Sequence, residues 1–218
     1  MGSVGTAAPA VIGQVKASFI SKCVEMLEWA CRELKANKKI DADWGEENIT
    51  ANIYVLIYES QKSIDYDIHP ECEHPFYNQA ILDNKKKAKT APRIDLVFQH
   101  NWNGQRFCFF VEAKNLIEND VLKTGRKIKT KSLSVLKRYI ETGIDHYLAG
   151  YYPQGCILGY VLNGTIVGVV NMLNTKLTQD GRGSEVLGSA FGSSPWMSFI
   201  SQYTVTGKQI THYLFEFN

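Results

Sequence analysis

Apolar residues between positions 14 and 37 recur at steps of three and four: Val15, Phe19, Cys23, Met26, Leu27, Ala30 and Leu34. That period lays them along one face of a helix, which predicts an amphipathic α-helix packed on a sheet. Residues 1–13, which precede it, are read as a flexible N-terminus. Past Asn37-Lys38-Lys39 the period returns from Glu46 to Ser60, carried by Ile49, Ile53, Leu56 and Ile57. Glu46 and Glu47 fall in the first turn of this second predicted helix, where the exposed N–H groups favour negative charge. Residues 61–90 are polar, contain Pro70 and Pro75, and end in a lysine run, so they read as a long loop.

From Arg93 onward the pattern shifts towards strands. Arg93-Ile94-Asp95-Leu96-Val97-Phe98 and the run from Arg106 to Lys114 are rich in β-branched and aromatic residues. Asn103-Gly104 between them is the preferred two-residue turn, so the two runs should pair antiparallel. Leu133 to Tyr147 is again amphipathic. Gly155 to Val170 holds two apolar runs split by Asn163-Gly164, which predicts a second hairpin; Gly181 to Ser194 reads as a loop, Trp196 to Tyr203 as a short helix and His212 to Phe217 as a last strand. With no internal repeat and no linker, a single α/β domain over residues 1–218 is expected.

Composition narrows the class. Of 218 residues, 44% are hydrophobic and only 21% charged, which supports a buried core and excludes a disordered chain or a coiled-coil rod. Five cysteines without a CxxC pair indicate neither a disulfide framework nor a zinc ribbon, and point to a reduced, cytoplasmic protein. No run approaches the roughly 18 apolar residues of a membrane span, so no membrane partner is expected. The net charge of +2 hides an uneven distribution: nine acids against one base from Asp41 to His74, then seven bases and no acid from Val121 to Arg138. Clustered bases of this kind suit either a polyanion partner or a solvated surface.

Against that background, carboxylates inside apolar strands carry chemical information. If Asn103-Gly104 makes a two-residue turn, Trp102 faces Gln105, and the same register sets Asp95 directly opposite Glu112. Their Cβ atoms would then lie about 5 Å apart, with Lys114 on the same face as Glu112. Two opposed carboxylates repel where water is scarce unless a cation, a shared proton or a basic side chain compensates. A hard divalent cation, Mg²⁺ or Mn²⁺, meets that need and also binds phosphate oxygens. A cross-strand ion pair of Asp95 with Lys114 or Arg93 meets it too.

Asp95, the hairpin and Glu112-Ala113-Lys114 together resemble the D…(D/E)xK motif of the PD-(D/E)xK, restriction-endonuclease-like nuclease superfamily. The resemblance covers roughly residues 14–170 in element order and implies a three-layer core, a mixed β-sheet flanked by α-helices. It further implies that Asp95 and Glu112 hold Mg²⁺ or Mn²⁺, that Ala113 adds a backbone carbonyl, and that Lys114 positions the nucleophilic water. Many members add a glutamate from a preceding helix. Glu46 is the first candidate, because it shares the helix face of Ile49 and Ile53, and Glu47 is the second. Pro92 stands three residues before Asp95 instead of beside it, a departure from the name-giving pattern.

The expectation is a metal-dependent nuclease hydrolysing phosphodiester bonds, in DNA rather than RNA, acting alone, as a homodimer or with an accessory protein. The alternative is a non-catalytic nucleic-acid- or protein-binding module on the same fold. Lys85, Lys86, Lys87 and Lys89 before the first motif strand, and Lys123, Arg126, Lys127, Lys129 and Lys131 after the second, are candidates for tracking a nucleic-acid backbone. Arg138 and Tyr139 are candidates to assist them, and Tyr151-Tyr152 to stack on bases. His69, Cys72 and His74 lie close in sequence, but no suitably spaced fourth residue completes a zinc site.

Overall fold

The computed structural model describes residues 8–75, 77, 79–83, 87, 89, 91, 93–124, 128–152, 154–203 and 207–218. Helix α1 (Pro9–Asn37) begins with a proline, whose missing N–H costs nothing in the first turn. It therefore starts inside the segment expected to be flexible. Helix α2 (Glu46–Tyr58) follows, and both turn the apolar faces anticipated from their period onto a sheet.

That sheet has seven strands: β1 (His69–Pro75), β2 (Arg93–Trp102), β3 (Gln105–Ile117), β6 (Gly155–Asn163), β9 (Lys208–Glu216), β8 (Trp196–Tyr203) and β7 (Gly188–Ser193), in that spatial order. It is mixed. The pairs β3–β6 and β6–β9 are parallel, while β1–β2, β2–β3, β9–β8 and β8–β7 are antiparallel. A separate two-stranded ribbon, β4 (Val121–Lys123) with β5 (Ile128–Thr130), stands after β3.

One core lies between α1, α2 and the sheet, where Met26, Leu27, Ile49 and Ile53 meet Leu96, Phe98, Val111 and Leu158. The second lies on the opposite face, under a helical segment and α7 (Ile166–Gln179), with Val97, Phe110, Leu116, Ile157, Val169 and Leu173. The helical segment runs from α5 (Ser132–Arg138) through a π-helical turn (Tyr139–Ile144) into α6 (Asp145–Leu148). Helices thus cover both faces of the sheet. No helix among the described residues is long and apolar enough to cross a membrane.

Several sequence expectations are corrected. The stretch 61–90 is not all loop: it contains α3 (Gln61–Asp65), strand β1 and the short α4 (Gln79–Leu82). Asn163-Gly164 does not turn a hairpin. The Thr165 hydroxyl accepts a hydrogen bond from the Gly168 N–H and caps α7 instead, so the apolar run after it is helical. Trp196 to Tyr203 is strand β8, and the supposed loop before it holds edge strand β7.

Candidate active site

The β2–β3 hairpin keeps the register that a two-residue turn dictates, from Trp102 opposite Gln105 down to Leu96 opposite Val111. Asn103 and Gly104 both adopt positive φ, as this tight turn requires. One residue beyond the last pair stand Asp95 and Glu112. Asp95 Oδ2 accepts a 2.6 Å hydrogen bond from the Ala113 N–H, so part of its charge is spent on the neighbouring strand's backbone.

The Lys114 ammonium is the meeting point of the site. Its Nζ lies 2.5 Å from Glu112 Oε1, 2.7 Å from the Ala113 carbonyl, 3.4 Å from Glu46 Oε1 and 3.9 Å from Asp95 Oδ2. Glu112 and Lys114 are each only 5% exposed. Glu46, at the first position of α2, reaches across the strand end: its Oε2 accepts the Asn115 N–H at 3.0 Å, and Arg138 Nη2 stands 3.6 Å from Oε1. Glu47 lies outside this set and lines the neighbouring cavity. Gly143, in the π-helical turn, packs beside the lysine stem, where an added Cβ would make ordinary contact with Lys114 Cγ at 3.9 Å.

Charge is unevenly balanced here. Three carboxylates face one buried ammonium and an Arg138 guanidinium whose side chain is 67% exposed. Burial, and then the neighbouring Glu112 charge, push the Asp95 carboxyl up to about 7. Burial alone would lower the Lys114 pKa, but Glu112, Glu46 and Asp95 outweigh it and hold the ammonium above the ordinary lysine value.

Among the described residues, no group of three or more His, Cys, Asp and Glu side chains is arranged to hold a metal ion. The ammonium occupies the centre that the carboxylates share. The donor chemistry still suits a hard divalent cation: Asp95 and Glu112 oxygens and the Ala113 carbonyl all lie within 3.9 Å of one cationic position, and a single ammonium leaves Asp95 under-compensated.

Other candidates fall in different places. Tyr152 does not offer its ring for stacking on bases: it is 3% exposed, and its hydroxyl donates a 2.9 Å hydrogen bond to Glu112 Oε2. Tyr139 is wholly buried against His212 and cannot meet a nucleic acid. His74 pairs with Glu71 and His69 with Asp67, so the two histidines do not converge with Cys72. Lys85, Lys86, Arg126 and Lys127 lie outside the described residues, as does Pro92. Lys87, Lys89, Lys129 and Lys131 are exposed. Lys123 borders a cavity of about 510 Å³ with Glu46, Glu47 and Arg138, because Thr124 is tied by its N–H and hydroxyl to Asp43, just ahead of α2.

Asn115 is the site residue that sequence reasoning missed, and Tyr152 was expected only as a base-stacking ring. Asn115 donates its side-chain amide to the Trp44 carbonyl, which fixes the loop entering α2, while its buried Oδ1 has no partner among the described residues. Its place directly after the Glu-x-Lys motif was the available signal. For Tyr152, in an irregular stretch before β6, nothing in the sequence signalled its bond to Glu112. Compared with protein-family models, with curated proteins and with solved structures, the chain matches none.

Proposed function

We propose that this chain is a metal-dependent nuclease that hydrolyses phosphodiester bonds, with DNA as its substrate, on a restriction-endonuclease-like core. The observation that carries the reading is the convergence on Lys114 of Asp95 and Glu112, which stand one step beyond the last pair of an antiparallel hairpin, and of Glu46 from α2. Asp95, Glu112 and the Ala113 carbonyl are the residues that would hold Mg²⁺ or Mn²⁺, with Glu46 behind them. Such an ion supplies Lewis acidity towards water and towards a phosphate oxygen.

The chain's own residues do the rest. Lys114, fully charged, can orient an attacking water by hydrogen bonding and offset negative charge as it gathers on the phosphoryl group. Arg138 and Lys123, on the open side of Glu46, can fix a phosphate of the substrate strand. The exposed Lys129 and Lys131 continue that positive surface along the ribbon and into α5.

Asp95→Ala and Glu112→Ala should each abolish Mg²⁺-dependent cleavage of DNA while preserving DNA binding, and because Glu112→Ala leaves the buried Lys114 ammonium without its nearest partner, its thermal midpoint is measured as well. Full activity in either variant sinks the proposal. Lys114→Ala should be inactive too, but it strips a buried partner, a change costing about 3–5 kcal/mol, so its thermal midpoint must be measured alongside. One observation favours the non-catalytic binding module: the Lys114 ammonium already occupies the position the carboxylates share, bonded to Glu112 and Glu46. That reading requires salt-sensitive DNA binding in a wild-type protein that cuts nothing with either ion and takes up neither in a calorimeter.

A further inference from the structure

We propose that Tyr152 is a positioning residue for the reaction: it holds the Glu112 carboxylate in the one orientation that can serve the site. The inference rests on the nuclease reading and extends it to a residue outside the motif.

Glu112 has two oxygens with separate obligations. Oε1 receives the Lys114 ammonium at 2.5 Å, and Oε2 receives the Tyr152 hydroxyl at 2.9 Å. A carboxylate gripped at both ends cannot rotate about its last torsion without losing a buried hydrogen bond. Without Tyr152, Oε2 would be left inside the protein with no donor, and the group would be free to turn towards Lys114 or Asp95.

Tyr152 is itself held. Its ring meets Tyr147 edge-on, with centroids 4.9 Å apart, and the Tyr147 hydroxyl lies 2.9 Å from the Phe110 carbonyl and 2.7 Å from the Cys156 carbonyl. These carbonyls belong to β3 and β6, so Tyr147 rivets the end of α6 to the parallel strand pair that carries Glu112. Gly155, at φ +158°, completes the arrangement: a Cβ there would stand 1.9 Å from the Phe110 oxygen and 2.7 Å from the Tyr147 hydroxyl. No other residue admits this approach. The chain from backbone to Tyr147 to Tyr152 to Glu112 is therefore continuous and buried, the kind of support behind a ligand whose removal typically costs about 10–100-fold in metal affinity or activity.

The test is Tyr152→Phe in the full-length protein, with Mn²⁺ affinity by calorimetry and kcat and KM on DNA measured together. The expected result is a loss of about 10–100-fold in Mn²⁺ affinity and in kcat, with KM for DNA unchanged. Wild-type values for both in Tyr152→Phe, while Glu112→Ala loses both, would overturn the role of Tyr152 and leave the nuclease reading intact. Undiminished Mn²⁺ binding by Glu112→Ala would overturn the reading and this inference with it. A second background guards against a merely structural effect. The shortened carboxylate of Glu112→Asp cannot reach Tyr152, so adding Tyr152→Phe there should cost less than about twofold. An equal loss in both backgrounds would mean that Tyr152 acts on the fold and not on Glu112.

Discussion

Asp95 sits largely out of water beside Glu112, and its hydrogen bond from the Ala113 N–H does not offset the loss of solvent and the like charge. Its carboxyl is therefore raised from the ordinary aspartate value, near 4, to about 7. Between these limits the unfolded chain carries an ionised Asp95 while the folded one keeps it protonated. Folding takes up a proton in that window, and stability falls as pH rises through it. Replacing the group with Asn removes the effect. In a chelating buffer, the thermal midpoint of Asp95→Asn should gain on wild type from pH 4 to pH 8, and a constant difference across that range would refute the assigned burial and repulsion. The same side chain shows why the site was legible at all: an acid in a run such as Ile94-Asp95-Leu96-Val97 has to be compensated, and the turn seven opposed pairs away says by what.

Among the elements, legibility followed the cause of each structure. Helices α1 and α2 and the β2–β3 hairpin declare themselves through apolar period and turn chemistry, both local properties. Strand β1 does not, because it is an edge strand that holds Pro70, Pro75, Glu71, Glu73 and two histidines, a sequence suited to solvent. Strand β8 and helix α7 exchanged identities with their predictions because short apolar runs take their conformation from their neighbours: β8 from β9, and α7 from the Thr165 cap. The buried network joining β8, β9 and the π-helical turn was equally invisible. There His212 Nδ1 lies 2.8 Å from the Tyr139 hydroxyl and Nε2 lies 2.7 Å from Ser201 Oγ, which in turn donates to Tyr203. That chain of donors leaves His212 neutral, with its proton on Nε2. Burial lowers its pKa to about 3, so the stability it supports is complete above the unfolded value near 6.5 and is lost as pH falls, by about 1.4 kcal/mol per pH unit. Urea titrations should therefore find His212→Phe less stable than wild type by about 2–3 kcal/mol at pH 7, with the gap narrowing at pH 4.5. A gap that widens would mean that the buried imidazole is charged.

For the whole molecule, the near-zero net charge is a cancellation between two regions that the fold brings together. The acidic stretch supplies Asp43 and Glu46, and the basic stretch supplies Lys123 and Arg138, which meet at one cavity. If DNA lies along this surface, Lys123→Ala and Lys131→Ala should each flatten the plot of log affinity against log salt by about 0.9. Lys129→Ala should do less, since Lys129 Nζ already lies 3.1 Å from Asp120. Equal slopes in all three variants would place the DNA elsewhere.

The turn at Asn103-Gly104 has a consequence for anyone who re-engineers this chain. It is an exposed loop tip, the sort of place where tags and inserts are usually accommodated. Here it is also the gauge from which every opposed pair down the hairpin is measured. One extra residue at the tip would shift β2 by a step against β3 and carry Asp95 to the opposite side of the sheet, without altering any residue of the site. The placement of Asp95 beside Glu112 is thus stored at the far end of the hairpin, in the length of a two-residue loop.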